Sequence, residues 1–261
     1  MSGRFQDLVS LVTGTTGIAA AAALALAEEG GRVFVTSRTE DHVDALVAQH
    51  ESIEGIAADL TQEEAVASVV RTVVGRFGRI DCVYNVAGIS ARRFGDGALH
   101  EMTLDGWNTA IAANATSQFL VCRAAIGQLL EQEPRDGGRR GSILNMSSVL
   151  ARHPEPQFFA SHGYAASKGA VEAFTRAIAA YYAPHGIRVN AIAAGLVATP
   201  MSERAQSDAD VMALVAKRQP IAGGALSTDD LVGAALYLLG DESRMVTGQV
   251  LDVDAGWSLG G

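Results

Sequence analysis

Along the chain, short runs of β-branched and other apolar residues alternate with longer stretches whose apolar positions recur at helical spacing. Residues 8–13 (LVSLVT), 32–36 (RVFVT), 53–59, 80–84 (IDCVY), 142–146 (SILNM), 188–192 (RVNAI) and 250–253 (VLDV) read as strands. Between them, 19–29, 42–50, 63–77, 104–131, 163–183 and 229–239 read as helices. Apolar strands separated by helices belong to a parallel sheet covered on both faces, joined by right-handed crossovers. The pattern therefore predicts an α/β, doubly wound parallel sheet of about seven strands. Residues 136–141 read as a solvated turn, and no repeat or low-complexity boundary divides residues 1–261, so one domain is expected.

Composition narrows the picture. Hydrophobic residues make up 48% and charged residues 19%, and scaling predicts that folding buries roughly 70% of the unfolded surface. With 28 glycines against 6 prolines, the excess glycine belongs to a compact chain rather than a disordered or collagen-like one. The net charge is −9, and no Lys/Arg cluster exceeds a pair (Arg92-Arg93, Arg139-Arg140), which argues against a nucleic-acid partner. The longest apolar run, 18–27, is far short of the ~20 residues of a membrane span. No basic, apolar and cleavage-site succession opens the chain, so a cytoplasmic location without membrane attachment is expected. Cys82 and Cys122 lie in apolar contexts and read as core residues; they supply neither a disulfide framework nor a zinc site.

Two stretches carry candidate chemistry. TGTTGIA, residues 13–19, joins the first strand to the first helix. Glycine there lets the backbone approach a pyrophosphate at the unpaired N–H groups of a helix N-terminus, although a glycine turn can precede any helix. The second strand ends on Ser37 and Arg38, where an acidic residue would accept a ribose 2′-hydroxyl; Arg with Ser can hold a 2′-phosphate instead. NADP(H) is thereby preferred, NAD(H) stays possible, and a solvated strand-end arginine is the bland alternative. Farther on, Tyr164 and Lys168 lie four apart on one helical face. A phenol of ordinary pKa near 10 is a poor acid–base at neutral pH, and an adjacent ammonium lowers that value. Asn145-Met146-Ser147-Ser148 ends a strand just upstream, and Asn114 falls inside the preceding long helix.

With TGTTGIA at 13–19, Asp59, NVAG at 85–88, Asn114, NMSS at 145–148, YAASK at 164–168, RVNAIAAG at 188–195 and TGQVLDVDAG at 247–256, nearly the whole chain resembles the short-chain dehydrogenase/reductase family. The resemblance implies a single Rossmann-type, NAD(P)-binding domain that interconverts a ketone or aldehyde carbonyl and an alcohol by hydride transfer. It implies that Tyr164 exchanges a proton with the substrate oxygen and that Ser148 hydrogen-bonds that oxygen. Lys168 would lower the pKa of Tyr164 and bind the nicotinamide ribose, and Asn114 would hold a water connecting Lys168 to solvent. Cofactor contacts are implied at Gly14, Thr16, Gly17, Ile18, Ser37, Arg38, Asp59, Leu60, Asn85, Ala87, Gly88, Val197 and Thr199. No metal is implied. Family members pair their long helices, so a homo-oligomer, tetramer or dimer, is expected.

The sequence departs from the family pattern in four places. The loop reads TGxxGxA rather than TGxxxGxG, one residue short and with Ala19 at the third glycine. Val86 replaces an asparagine, and Ala194-Gly195 replaces Pro-Gly. Tyr164 follows Ser148 by 16 positions, longer than the usual spacing. The added stretch holds Arg152, His153, Pro154, Phe158, Phe159 and His162; the phenylalanines either line an apolar substrate pocket or pack on each other, and the histidines read as solvated. Residues 196–224, rich in Ala, Ser and Gly, are expected to form a mobile substrate lid. The short loop and Val86 also admit a regulatory relative that binds nucleotide poorly, and related enoyl reductases share an Ala-ending loop.

Overall fold

The computed structural model describes residues 3–260. Strands β1 (Val9–Thr13), β2 (Arg32–Ser37), β3 (Ile53–Ala57), β4 (Cys82–Asn85), β5 (Gly141–Ser148), β6 (Ile187–Ala194) and β7 (Val250–Val253) form one parallel sheet in the order β3-β2-β1-β4-β5-β6-β7. The helices are α1 (Ile18–Glu28), α2 (Glu40–Val47), α3 (Glu63–Phe77), α4 (Leu104–Ile111), α5 (Ser117–Glu131), α6 (His162–Tyr182), α7 (Glu203–Gln206), α8 (Ala209–Arg218) and α9 (Asp229–Leu239). The sheet is buried on both faces because its strands are apolar at consecutive positions; β1 and β4 are buried throughout. One core lies between the sheet and α1, α2 and α9, where Ala22, Leu26, Val43, Leu46, Leu231 and Leu239 pack. The other lies beneath α3, α5 and α6, with Val69, Val73, Leu120, Ile126, Leu129 and Ala179. This is the doubly wound arrangement that the alternating pattern predicts.

Chain order reverses between β1 and β4, so the loops leaving their carboxyl ends diverge and open a crevice at that edge. β5 and β6 run longer than their apolar cores suggest, pairing from Gly141↔Ile187 to Ser148↔Ala194, which carries Ser148 to the rim of that crevice. The predicted helix over 104–131 is not continuous: α4 and α5 are separated by a π-helical turn, Ala112–Thr116. The widened turn sets Asn114 against the backbone of Ile89, and Ser117 Oγ donates to the Ala113 carbonyl at 2.7 Å. Within 136–141 the chain makes a short 3₁₀ turn, Asp136–Gly138, in which Gly137 and Gly138 take positive φ. Among the described residues, no helix is long and apolar enough to cross a membrane.

Candidate functional site

A cleft of about 850 Å³ follows the carboxyl edge of the sheet. At one end is the loop from β1 into α1. Gly14 and Gly17 have φ of +98° and +57°, conformations that side-chain-bearing residues rarely adopt. A Cβ on Gly17 would lie 2.9 Å from Thr199 Cγ2, so glycine also admits the chain leaving β6. A Cβ on Gly14 would stand 3.0 Å from that of Ala19, which is 1% exposed and packed in the core. The alanine at the family's third glycine thus fills space that Gly14 leaves, and the shortened loop keeps the cleft open. With no acidic residue in the first turn of α1, nothing there opposes a bound phosphate. These residues fit the pyrophosphate of a dinucleotide.

The neighbouring segment after β4 is held by the buried Thr13 hydroxyl, which accepts from the Val86 and Ala87 N–H groups at 3.0 and 3.2 Å. That clamp acts on the backbone, so it is indifferent to the side chain at 86, and Val86 packs against the core instead. Thr15 Oγ1 donates to Ser37 Oγ at 2.9 Å. Arg38 is exposed at the cleft and has no carboxylate within 4 Å among the described residues, with His42 beside it on the lining. The Asp59 carboxylate is engaged locally, accepting from Thr61 N and Oγ1 at 3.0 and 2.8 Å. Thr16, Ile18, Leu60, Gly88, Val197 and Thr199 also line the cleft. Asn85 does not. Its amide points into the core, donating to Asn145 Oδ1 at 2.9 Å and to Cys122 Sγ at 3.3 Å, while Asn145 donates to Thr175 Oγ1 at 2.9 Å.

Ser148, Tyr164 and Lys168 converge at the other end. The first turn of α6 is fixed by Asp96, 6% exposed, whose carboxylate accepts from the N–H groups of Gly163 and Tyr164, each at 2.9 Å. Burial raises the Tyr164 phenol above its ordinary pKa, and the hydrogen bond with Ser148 opposes the rise. Lys168, 2% exposed, donates from Nζ to the Met146 carbonyl at 2.9 Å and stands 5.5 Å from the centroid of the Tyr164 ring. Burial lowers its pKa to about 8. Asn114, fully buried, gives both amide functions to Ile89, accepting from its N–H at 2.8 Å and donating to its carbonyl at 3.1 Å.

One turn beyond Lys168, buried Glu172 accepts from Ser147 Oγ at 3.0 Å and pairs with Arg152 at 3.0 Å; Arg152 also pairs with Asp252. Asp96 and Glu172 are positioning residues the sequence does not reveal, because their partners lie 67 and 25 positions away. The long stretch before Tyr164 folds back on itself: Glu155 accepts from the N–H groups of Gln157 and Phe158 at 3.0 and 2.7 Å. Phe159 lines the cleft edge-on to Trp257, centroids 5.8 Å apart, whereas Phe158 packs in the small core of Val149, Ala205 and Val211. His153 and His162 lie off the cleft, and no group of three metal-ligating side chains occurs among the described residues. Residues 196–224 contain a short 3₁₀ turn, α7 and α8, anchored at their base by fully buried Gln219. Its side chain accepts from Leu196 N at 2.5 Å and donates to the Leu196 and Gly224 carbonyls at 3.1 and 2.7 Å. A Cβ at Gly195 would stand 2.4 Å from Gln219 Oε1, which explains the glycine there. Arg92, Arg93 and Arg204 line this end as well; neither an arginine pair nor a single arginine points to a site in sequence.

Comparison with known proteins places this geometry among relatives. A family model described as enoyl-(acyl carrier protein) reductase matches residues 12–258. The chain is 36% identical to the short-chain reductase protein NovJ of Streptomyces niveus, over 96% of this chain and 94% of that protein. It is 34% identical to the 3-oxoacyl-[acyl-carrier-protein] reductase FabG of Thermotoga maritima, over 97% and 98% respectively. Among solved structures, a tryptophan variant of actinorhodin polyketide ketoreductase with NADPH superposes with a TM-score of 0.86 at 30% identity, covering 99% of each chain.

Proposed function

The chain belongs to the short-chain dehydrogenase/reductase family, and from that premise we propose that it interconverts a carbonyl and an alcohol with NADP(H), NAD(H) being the weaker alternative. The observation that carries this reading is the meeting of Ser148, Tyr164 and Lys168 in one cleft with the Gly14–Gly17 loop, Ser37 and Arg38. When bound, the nicotinamide dinucleotide supplies or accepts the hydride. Gly14, Thr16, Gly17 and Ile18 would hold its pyrophosphate, and Ser37 with Arg38 its 2′-phosphate. Asp59 and Leu60 would border the adenine, and Ala87 and Gly88 the adenosine half. Val197 and Thr199 would orient the nicotinamide end. The NADPH in the related ketoreductase supports the choice of cofactor.

Ser148 orients the reacting oxygen, and Tyr164 passes a proton to or from it. The burial that raises the phenol suits an acid that must keep its proton until the oxygen is in place. Lys168, held by the Met146 carbonyl, would favour the phenolate and bind the nicotinamide ribose, with Asn114 keeping the Ile89 segment beside it. The spacing of four between Tyr164 and Lys168 favours carbonyl chemistry over enoyl reduction. Residues 196–224 act as the lid.

A homo-tetramer built on α5 and α6 completes the proposal. Its support is an apolar surface where Phe119, 41% exposed, meets Phe174 edge-on at 6.1 Å beside Ala115, Ala170 and Val171. The test of the chemistry is Tyr164→Phe assayed on a panel of ketones with NADPH. Turnover falls at least ~100-fold while NADPH still binds; unchanged turnover refutes the role of Tyr164.

A further inference from the structure

The chain carries a net charge of −9, yet among the described residues the charged side chains lining its cleft are Arg38, Arg92, Arg93, Lys168 and Arg204 against the single carboxylate of Asp59. Among the described residues, none of these five cations has a carboxylate within 4 Å, whereas most arginines outside the cleft are paired with one. Arg38 stands at the end of β2, where a dinucleotide's own phosphate accounts for it. Arg92 and Arg204 stand at the opposite end and are left unexplained.

Their placement is specific. Arg92 is half-buried and fixed by neutral acceptors: its Nε donates to Ser161 Oγ at 2.9 Å, and Nη2 to the Phe158 carbonyl at 2.8 Å and the Ala160 carbonyl at 3.4 Å. Those acceptors lie just before Tyr164, so the guanidinium belongs to the same wall as the phenol. Arg204 projects from α7, and the next residue, Ala205, packs with Val149, the residue following Ser148. Both guanidinium groups line the same cleft, and burial first, then the charge of Arg204, lowers the pKa of Arg92. The carboxylate that opposes this effect, Asp96, already accepts from two backbone N–H groups of α6. Arg92, half-buried, and Arg204, exposed, put two like charges on one cleft, which is unfavourable unless an anion comes between them.

We propose that the substrate carries an anionic group, a carboxylate or a phosphate, seated between Arg92 and Arg204 while its carbonyl or carbinol carbon lies at Ser148 and Tyr164. The placement of that carbon rests on the oxidoreductase reading; the anion site does not. Because Arg204 lies on α7 and Arg92 is bound to the stretch just before Tyr164, the anion ties these two segments together.

The test uses two matched pairs of ketones with the full-length protein: levulinate against methyl levulinate, and dihydroxyacetone phosphate against dihydroxyacetone. Each is measured by turnover with NADPH and by calorimetric binding to the protein saturated with NADP⁺. A charge-assisted contact predicts at least about tenfold preference for the anion in one pair, and that pair identifies carboxylate or phosphate. Arg204→Gln lowers the anion-to-neutral ratio about tenfold, and Arg204→Lys restores part of it. No preference in either pair overturns the proposal, and so does an Arg204→Gln loss that falls equally on both members. Anion binding that depends on Arg204 without turnover of any ketone leaves the anion site standing and sinks the oxidoreductase reading. Turnover without anion preference does the reverse.

Discussion

Replacing Lys168 by methionine is expected to make the protein more stable and less active. The ammonium is 2% exposed, and burial lowers its pKa from 10.5 to about 8. That depression corresponds to about 3 kcal/mol by which the fold disfavours the charged form. Methionine fills a similar volume and removes this penalty, but forgoes a charge-assisted hydrogen bond worth about 1.5–3 kcal/mol. The Met146 carbonyl is not orphaned by the change, because Gln118 Nε2 also donates to it at 3.1 Å. The net gain is about 1 kcal/mol, or a Tm higher by roughly 2–4 °C at pH 7 and fixed protein concentration. The pH dependence has a definite sign. Below pH 8 the lysine is charged in both folded and unfolded chains and the whole penalty applies; between about 8 and 10.5 only the unfolded chain holds the proton, so the parent gains stability as pH rises. The methionine variant lacks this rise, and the gap between the two narrows toward high pH. Denaturant midpoints at pH 7 and about pH 9.5 measure it. A variant no more stable than the parent at pH 7, or a gap that stays constant, refutes the reasoning.

Three further outcomes are expected. Arg38→Ala weakens NADPH binding about tenfold or more and spares NADH, measured by cofactor fluorescence; equal losses would dismiss a 2′-phosphate contact. Gly17→Ala forces a side chain to φ +57° within 2.9 Å of Thr199, so it lowers stability by about 1–3 kcal/mol and weakens both nucleotides; an unchanged Tm and Kd would contradict the tight fit of that loop. Light scattering is expected to give the mass of four chains, and a monomeric mass rules out assembly through α5 and α6.

The fold was legible because its strands are local: a β-branched run such as Arg32–Ser37 announces itself within six residues. The π-helical turn was not, since Ala112–Thr116 suits an α-helix equally well and the difference lies in which carbonyl each N–H selects. At the site, residues whose neighbours in sequence share their chemistry were readable, as with Ser148 and the Tyr164–Lys168 pair. The direction of the Asn85 side chain was not readable, because a polar residue at a strand end can turn toward the cleft or away from it, and here its amide donates to Asn145. Asp96, Glu172, Arg92 and Arg204 escaped notice because each acquires meaning only from a partner brought up by the fold.

The buried chain from Cys122 and Asn85 through Asn145 to Thr175 joins β4, β5, α5 and α6 beneath the catalytic residues. Asn85 Oδ1 already lacks a partner there, so losing another member adds a further unmet donor or acceptor in a place water does not reach. Removing a single acceptor, as in Thr175→Val, strands the Asn145 amide that donates to it and lowers stability. Mutational paths through this layer are therefore closed one residue at a time and open only to concerted replacement, whereas exposed, unpaired Arg38 is free to change alone. A lineage built on this scaffold would exchange its nucleotide preference readily and keep its polar interior.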